Sequence, residues 1–284
     1  MKGRIYNIKN TRKIMEMHDI TMKKSLGQNF LVDGNILRKI VDSADLKEND
    51  VVLEVGPGIG SLSEEILLRG NKLTSIEIDD RFIDILHENF EDMDNFKLVH
   101  GDALDDEIWK SANENPTPNV FIGNLPYVIT TPILEKIFKN ENKFDKIVVM
   151  VQKEVAERMT AKPGSKTYGS LSVFVSYFSN AKILFDVSEG SFIPRPKVKS
   201  SVVLLETARR DERPDDFMDF VHKAFGMRRK TLLNSLSMGL EMDKSEVQQR
   251  IENAGIDPKV RAENLTLEDF LNLYSSFNKN NFCG

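Results

Sequence analysis

Four short stretches of this 284-residue chain carry residue types whose order points to chemistry. Gly56-Pro57-Gly58-Ile59-Gly60 follows the apolar run at 51–55 and precedes a helical pattern, so its glycines occupy a strand-to-helix turn. Glycine there lets the backbone approach a ligand and take positive φ, although a tight turn needs glycine for its own sake. Glu77 ends the next apolar run, 21 residues after Gly56, near the offset of an acid that grips ribose hydroxyls. Asp102, in Gly101-Asp102-Ala103, offers a second acid able to accept from an adenine exocyclic amine; each acid alone fits a helix cap equally well. The glycine spacing departs from the dinucleotide pattern and favours a mononucleoside-like cofactor. The fourth stretch is Asn124-Leu125-Pro126-Tyr127. Methylating an aromatic amine is hard because the lone pair of the nitrogen is delocalised into the ring. Two acceptors, the Asn124 side-chain oxygen and the Leu125 carbonyl, can take both amine hydrogens and favour a more tetrahedral nitrogen, with Pro126 fixing the turn that aims them. Tyr127 offers a stacking face for a splayed adenine, and Phe192 a candidate cover for its second face; the competing reading of Phe192 is an ordinary core phenylalanine.

The elements that must position these residues alternate in type. Strand patterns fall at 51–55, 72–78, 96–99, 119–123, 145–151, 181–187 and 201–207, with helical patterns near 34–44, 60–70, 80–91, 131–139, 152–160 and 169–179. This alternation predicts an α/β fold, a doubly wound seven-stranded sheet whose last strands include antiparallel pairing. After 208 a charged linker, 209–214, leads into helical periodicity alone at 215–225, 229–240, 244–253 and 267–275. The expected organisation is a basic extension over 1–24, a catalytic domain over 25–208 and a small all-α domain over 209–284.

The formal charge of −5 speaks against a uniformly basic nucleic-acid binder, but the charge is uneven. Residues 1–24 hold seven basic against two acidic residues, and 160–235 hold thirteen against eight, leaving −15 on the remainder. Two basic segments on an acidic protein suit a phosphate-binding face, though such runs also serve as solvated surface. The lone Cys283 excludes an internal disulfide and a thiolate metal site; His18, His87, His100 and His222 form no cluster, and no metal is expected. The apolar runs are too short for a membrane span and the first 24 residues lack a secretory pattern, so a cytoplasmic protein is expected.

Together these motifs resemble the KsgA-type small-subunit ribosomal RNA adenine dimethyltransferases. The resemblance runs from K-K-S-L-G-Q-N-F-L at 23–31 through E-V-G-P-G-I-G, I-E-I-D, G-D-A, N-L-P-Y and F-I-P-R-P-K-V at 192–198. It continues into R-R-K-T-L-L-N-S-L at 228–236 and R-A-E-N-L-T at 261–266. It implies a Rossmann-like class I fold using S-adenosyl-L-methionine, held by Asn29, Leu31, Gly56, Gly58, Glu77, Asp102 and Asn124. It further implies dimethylation of two adjacent adenines in the 3′ hairpin of 16S rRNA, within immature small subunits, by a protein expected to act as a monomer. The RNA-binding candidates are Lys23, Lys24, Arg195, Lys197, Arg228, Arg229 and Lys230. Rival readings are a macrolide-resistance methylase acting on large-subunit RNA, a DNA adenine methylase, and an assembly or transcription factor in which methyl transfer is incidental.

Overall fold

The computed structural model describes residues 4–20, 29–126, 129–139, 144–208 and 214–278. In chain order the elements are α1 (Ile8–Met17), β1 (Phe30–Leu31), α2 (Gly34–Ser43), β2 (Val51–Val55), α3 (Ser61–Leu67), β3 (Lys72–Glu77), α4 (Asp80–Phe90) and β4 (Phe96–His100). There follow α5 (Asp106–Asn113), β5 (Val120–Asn124), α6 (Thr130–Lys139), β6 (Lys146–Gln152), α7 (Lys153–Met159), α8 (Ser170–Phe178), β7 (Ser179–Val187), β8 (Phe192–Ile193) and β9 (Ser200–Thr207). The last helices are α9 (Pro214–Phe225), α10 (Leu232–Gly239), α11 (Lys244–Asn253) and α12 (Leu267–Asn278).

Seven strands form one sheet in the order β4-β3-β2-β5-β6-β9-β7. The first five in that order run parallel, and β9 lies antiparallel to β6. Parallel strands covered on both faces must be apolar throughout. Accordingly all of β2 is buried, as is Ile147–Val151 of β6. Chain progression reverses between β2 and β5: β2 leads outward to β3 and β4, and β5 leads the other way. At such a reversal the strands' carboxyl ends open a crevice. Local chemistry sets the helix starts: the carboxylates of Asp33, Asp79, Asp105 and Asp243 each accept a backbone N–H in the first turn of α2, α4, α5 and α11.

The strand and helix expectations hold to within a few residues, with three additions. Two helices were not anticipated from the sequence, α1, which buries Thr11, and α5, which buries Trp109 and Ala112. The third addition is the two-residue pairing of β1 with β8, too short for any alternation to register.

The chain divides into two compact units, Met1–Ala156 with Lys182–Thr207, and Glu157–Ala181 with Ala208–Gly284. Residues 157–181 therefore group with the C-terminal helices, not with the sheet domain expected over 25–208. The cause lies in α8, which buries Leu171, Val173, Phe174, Val175 and Tyr177. Tyr177 meets the Phe217 ring at 5.2 Å, and the Tyr168 hydroxyl donates to the Leu265 carbonyl at 2.8 Å. In the first unit, Ile5 and Ile20 from the basic extension join the core with Leu37, Ile40, Leu86 and Phe192. No helix among the described residues is long and apolar enough to cross a membrane.

Candidate active site

The crevice at the β2/β5 reversal holds a cavity of about 290 Å³ within the first unit. Its wall includes Leu31, Gly58, Glu77, Asp102 and Asn124. The glycine turn that leaves β2 has three residues in the left-handed region, Gly56 at φ +71°, Gly58 at +57° and Gly60 at +89°. A methyl group on Gly58 would stand 2.9 Å from the Phe30 ring, and one on Gly60 2.6 Å from the Phe90 ring. Gly60 thus also serves packing of the turn on α4. Gly58 keeps the backbone bare at the cavity wall.

Glu77 is 4% exposed, yet its carboxylate is well supplied with donors. It accepts the Gly58 N–H at 3.1 Å on one oxygen, and the Ile78 and Asp79 N–H groups, each at 2.9 Å, on the other. Burial pushes its pKa above the usual carboxylate range, opposed by those three hydrogen bonds. Asp102 is exposed and accepts the Leu104 N–H at 2.8 Å. Neither acid caps a helix, because Asp79 caps α4 and Asp105 caps α5. The alternative open to them at the level of sequence is thereby taken by their neighbours.

A third acid, Glu54, lines the same cavity and was missed by the reading of the sequence. One of its oxygens accepts the Ser63 hydroxyl at 2.6 Å and the Ser75 hydroxyl at 3.1 Å. Burial pushes its pKa up to about 7. The available signal was a carboxylate inside the apolar strand VVLEV, where an unpaired charge is costly. Ile78 is also new to the site: it lines the cavity and is 48% exposed, an apolar surface directly beside Glu77.

At the end of β5, paired with Met150 of β6, stands Asn124. Its side-chain N–H donates to the Asn29 carbonyl at 3.4 Å, which leaves the amide oxygen as the group able to accept. The Leu125 N–H is held by the Met150 carbonyl at 3.1 Å. The Pro126 carbonyl accepts from the Ile129 N–H at 3.2 Å and the Thr130 hydroxyl at 3.1 Å, fixing the turn before α6. Tyr127 lies outside the described residues. Phe192 is 1% exposed, pairs with Leu31 across β1 and β8, and belongs to the core. It is not among the residues lining the cavity, so in this arrangement it presents no face to a base.

The expected cation set is not brought to one place by anything described. Arg195 and Lys197 are exposed between β8 and β9 of the first unit. Arg228, Arg229 and Lys230 are exposed in the second, on a turn and not on a helix, because the Thr231 hydroxyl caps α10 and starts it at Leu232. The Arg228 guanidinium donates to the Lys166 carbonyl at 2.7 Å and stands 3.9 Å from Glu263. Lys23 and Lys24 lie outside the described residues.

A mixed seven-stranded sheet, with a glycine turn and two acids at its strand ends that cap no helix, defines a Rossmann-like methyltransferase of class I. The fold is shared with a dimethyladenosine transferase from Plasmodium falciparum (TM-score 0.74, 29% identity, 88% of this chain and 97% of that one). It is also shared with the 23S rRNA methyltransferase ErmE (TM-score 0.65, 26% identity, 88% and 99%). The chain belongs to the ribosomal RNA adenine dimethylase family, whose sequence model matches residues 20–279. Among its relatives are proteins named ribosomal RNA small subunit methyltransferase A. The one from Clostridium botulinum (strain ATCC 19397 / Type A) is 43% identical over 92% of this chain and 96% of its own length. That from Pediococcus pentosaceus is 44% identical over 95% of each.

Proposed function

We propose that this enzyme binds S-adenosyl-L-methionine in the β2/β5 crevice and dimethylates N6 of two adjacent adenines in the 3′-terminal hairpin of 16S rRNA, on immature small subunits. The observation that carries the reading is Asn124, whose amide nitrogen is committed to Asn29 so that its oxygen stands as an acceptor at the cavity wall. The cavity fits a mononucleoside-like cofactor. Gly58 leaves room where a methyl would meet Phe30, Glu77 and Asp102 are acceptors suited to ribose hydroxyls and an adenine amine, and Ile78 offers an apolar contact beside them. Asn29, Leu31 and Gly56 complete the holding set.

When bound, S-adenosylmethionine supplies an electrophilic methyl group on sulfur. The chain's task is to make the adenine nitrogen attack it. The Asn124 oxygen and the Leu125 carbonyl accept the N6 hydrogens, draw the lone pair out of conjugation and orient it, and Pro126 holds their turn. Tyr127 supplies the stacking face for the flipped base. Phe192 can share that role only by leaving the core. Arg195, Lys197, Arg228, Arg229 and Lys230, with Lys23 and Lys24, carry the RNA phosphates.

Small-subunit RNA is favoured over large-subunit RNA by relatives of that name at 43–44% identity over nearly the full length, against 26% for the 23S enzyme. The test is transfer of labelled methyl groups to unmethylated small subunits and, in parallel, to large-subunit RNA, with mass analysis of the nucleoside. Dimethyladenosine at adjacent positions of the small-subunit hairpin is expected. Label in large-subunit RNA alone would move the enzyme to the resistance-methylase reading. Tight particle binding without label would make it a non-catalytic factor.

A further inference from the structure

The helix α1 precedes the family match, which begins at residue 20, and its charges are arranged against its own stability. Lys9 stands in the first turn and Glu16 in the last, with no acid in the first turn and no base in the last. A helix is positive at its N-terminal end and negative at its C-terminal end, so this order is unfavourable at both. Four other helices follow the opposite rule. Acids open and bases close α4, α5, α9 and α11, for example Asp80 and His87 in α4, and Glu246 and Arg250 in α11. Arg12 and Glu16 are four apart with the cation first, the weaker orientation for such a pair.

The helix is mounted firmly on the catalytic unit. Ile5 and Ile20 are buried in its core, and the Ile5 N–H donates to Glu64 of α3 at 3.0 Å. The Thr11 hydroxyl donates to the Ile5 carbonyl at 2.9 Å, and the Tyr6 ring fills the space over Gly34 of α2. With that face committed, Lys9, Arg12 and Lys13 point outward, exposed, and none is in an ion pair among the described residues. By contrast Lys47, Arg69, Lys110 and Lys136 of the same unit each face a carboxylate. Twelve positions of chain lead from Met17, the end of α1, to Asn29 at the cavity wall, so the end of α1 lies within about 40 Å of the cavity.

We infer that the outward face of α1, formed by Lys9, Arg12 and Lys13, is a docking surface for the phosphate backbone of the substrate RNA, flanking the methylated bases. This rests on the chain acting on RNA as proposed above. Three exposed cations without an ion pair among the described residues, one of them (Lys9) set against the helix dipole, on a mount anchored to the catalytic core, fit a rigid phosphate contact.

The test uses the full chain with Lys9→Glu, and with Lys9→Gln, Arg12→Gln and Lys13→Gln combined. Thermal unfolding, S-adenosylmethionine affinity, and affinity for protein-free small-subunit rRNA as a function of salt are measured alongside methyl transfer by the wild type. The triple variant should bind RNA at least about tenfold more weakly at low salt, its log-log salt slope flatter by roughly two to three. Lys9→Glu should lose RNA affinity while its unfolding midpoint stays level or rises, and cofactor affinity should be unchanged in both. An unchanged salt slope in a wild-type-active preparation overturns this inference alone. So does a lowered midpoint in Lys9→Glu, which would make Lys9 structural, or an effect seen only on assembled particles, which would assign the face to a ribosomal protein. A wild type that does not bind the RNA overturns this inference alone; one that also fails to methylate unmethylated small subunits overturns the reading beneath it as well.

Discussion

At the scale of single residues the site separates groups that hold from groups that act. In the proposed reaction Asn124 is the residue that acts: its side-chain N–H donates to the Asn29 carbonyl, and its oxygen would accept from the substrate. Asn124→Ala should lower single-turnover methylation by at least about a hundredfold. Binding to immature small subunits should survive, as a filter-binding assay would record, and loss of both together would argue against separate catalytic and recognition surfaces. Glu54 holds, and its cost depends on pH. Its pKa is raised from 4.5 to about 7, so between those values the folded chain binds more protons there than the unfolded chain. Its contribution is therefore fully present below about pH 4.5 and is lost as pH rises through 7. In Glu54→Gln that loss is absent. Relative to wild type, the variant should gain on the order of 3 kcal/mol between pH 4.5 and 8 in urea unfolding. Parallel pH profiles would place the Glu54 carboxyl in a wetter setting.

At the scale of elements, the turn between β2 and α3 is where backbone conformation and packing meet. Gly60 combines φ +89° with a Phe90 ring 2.6 Å from where a methyl would stand. Gly60→Ala should cost about 2–4 kcal/mol from left-handed strain and overpacking. Adding Phe90→Leu should recover part of that, giving a favourable coupling in a double-mutant cycle. Strict additivity would leave backbone strain as the entire cause. The strands and this turn were legible in the sequence because apolar runs and glycine spacing are local signals. The β1–β8 pair was not, since two residues carry no period and their partner is more than 160 positions away.

At the scale of the whole molecule, the net charge of −5 hides exposed cations in both units. Arg228 and Arg229 are neighbours in sequence with different duties: Arg228 is tied to Lys166, whereas Arg229 has no ion pair among the described residues. Replacing either by Ala should weaken rRNA binding and flatten its salt slope by roughly one. Only Arg228→Ala should also lower the unfolding midpoint, by less than about 1 kcal/mol in stability because the group is largely solvated. Equal effects on stability would mean that the turn, and not the Lys166 contact, responds to the loss of charge.

What the sequence by itself determined was the class of sheet, the glycine turn, two acids at strand ends and the N-L-P-Y stretch, because each is written in residues close together along the chain. Tertiary structure alone decided that Glu54 shares the cavity, that the Asn124 side-chain N–H meets the Asn29 carbonyl, and that Phe192 is spent in the core. It also moved residues 157–181 into the helical unit. These depend on which distant segments compete for the same buried volume and the same hydrogen bonds, and no local pattern records the outcome of that competition.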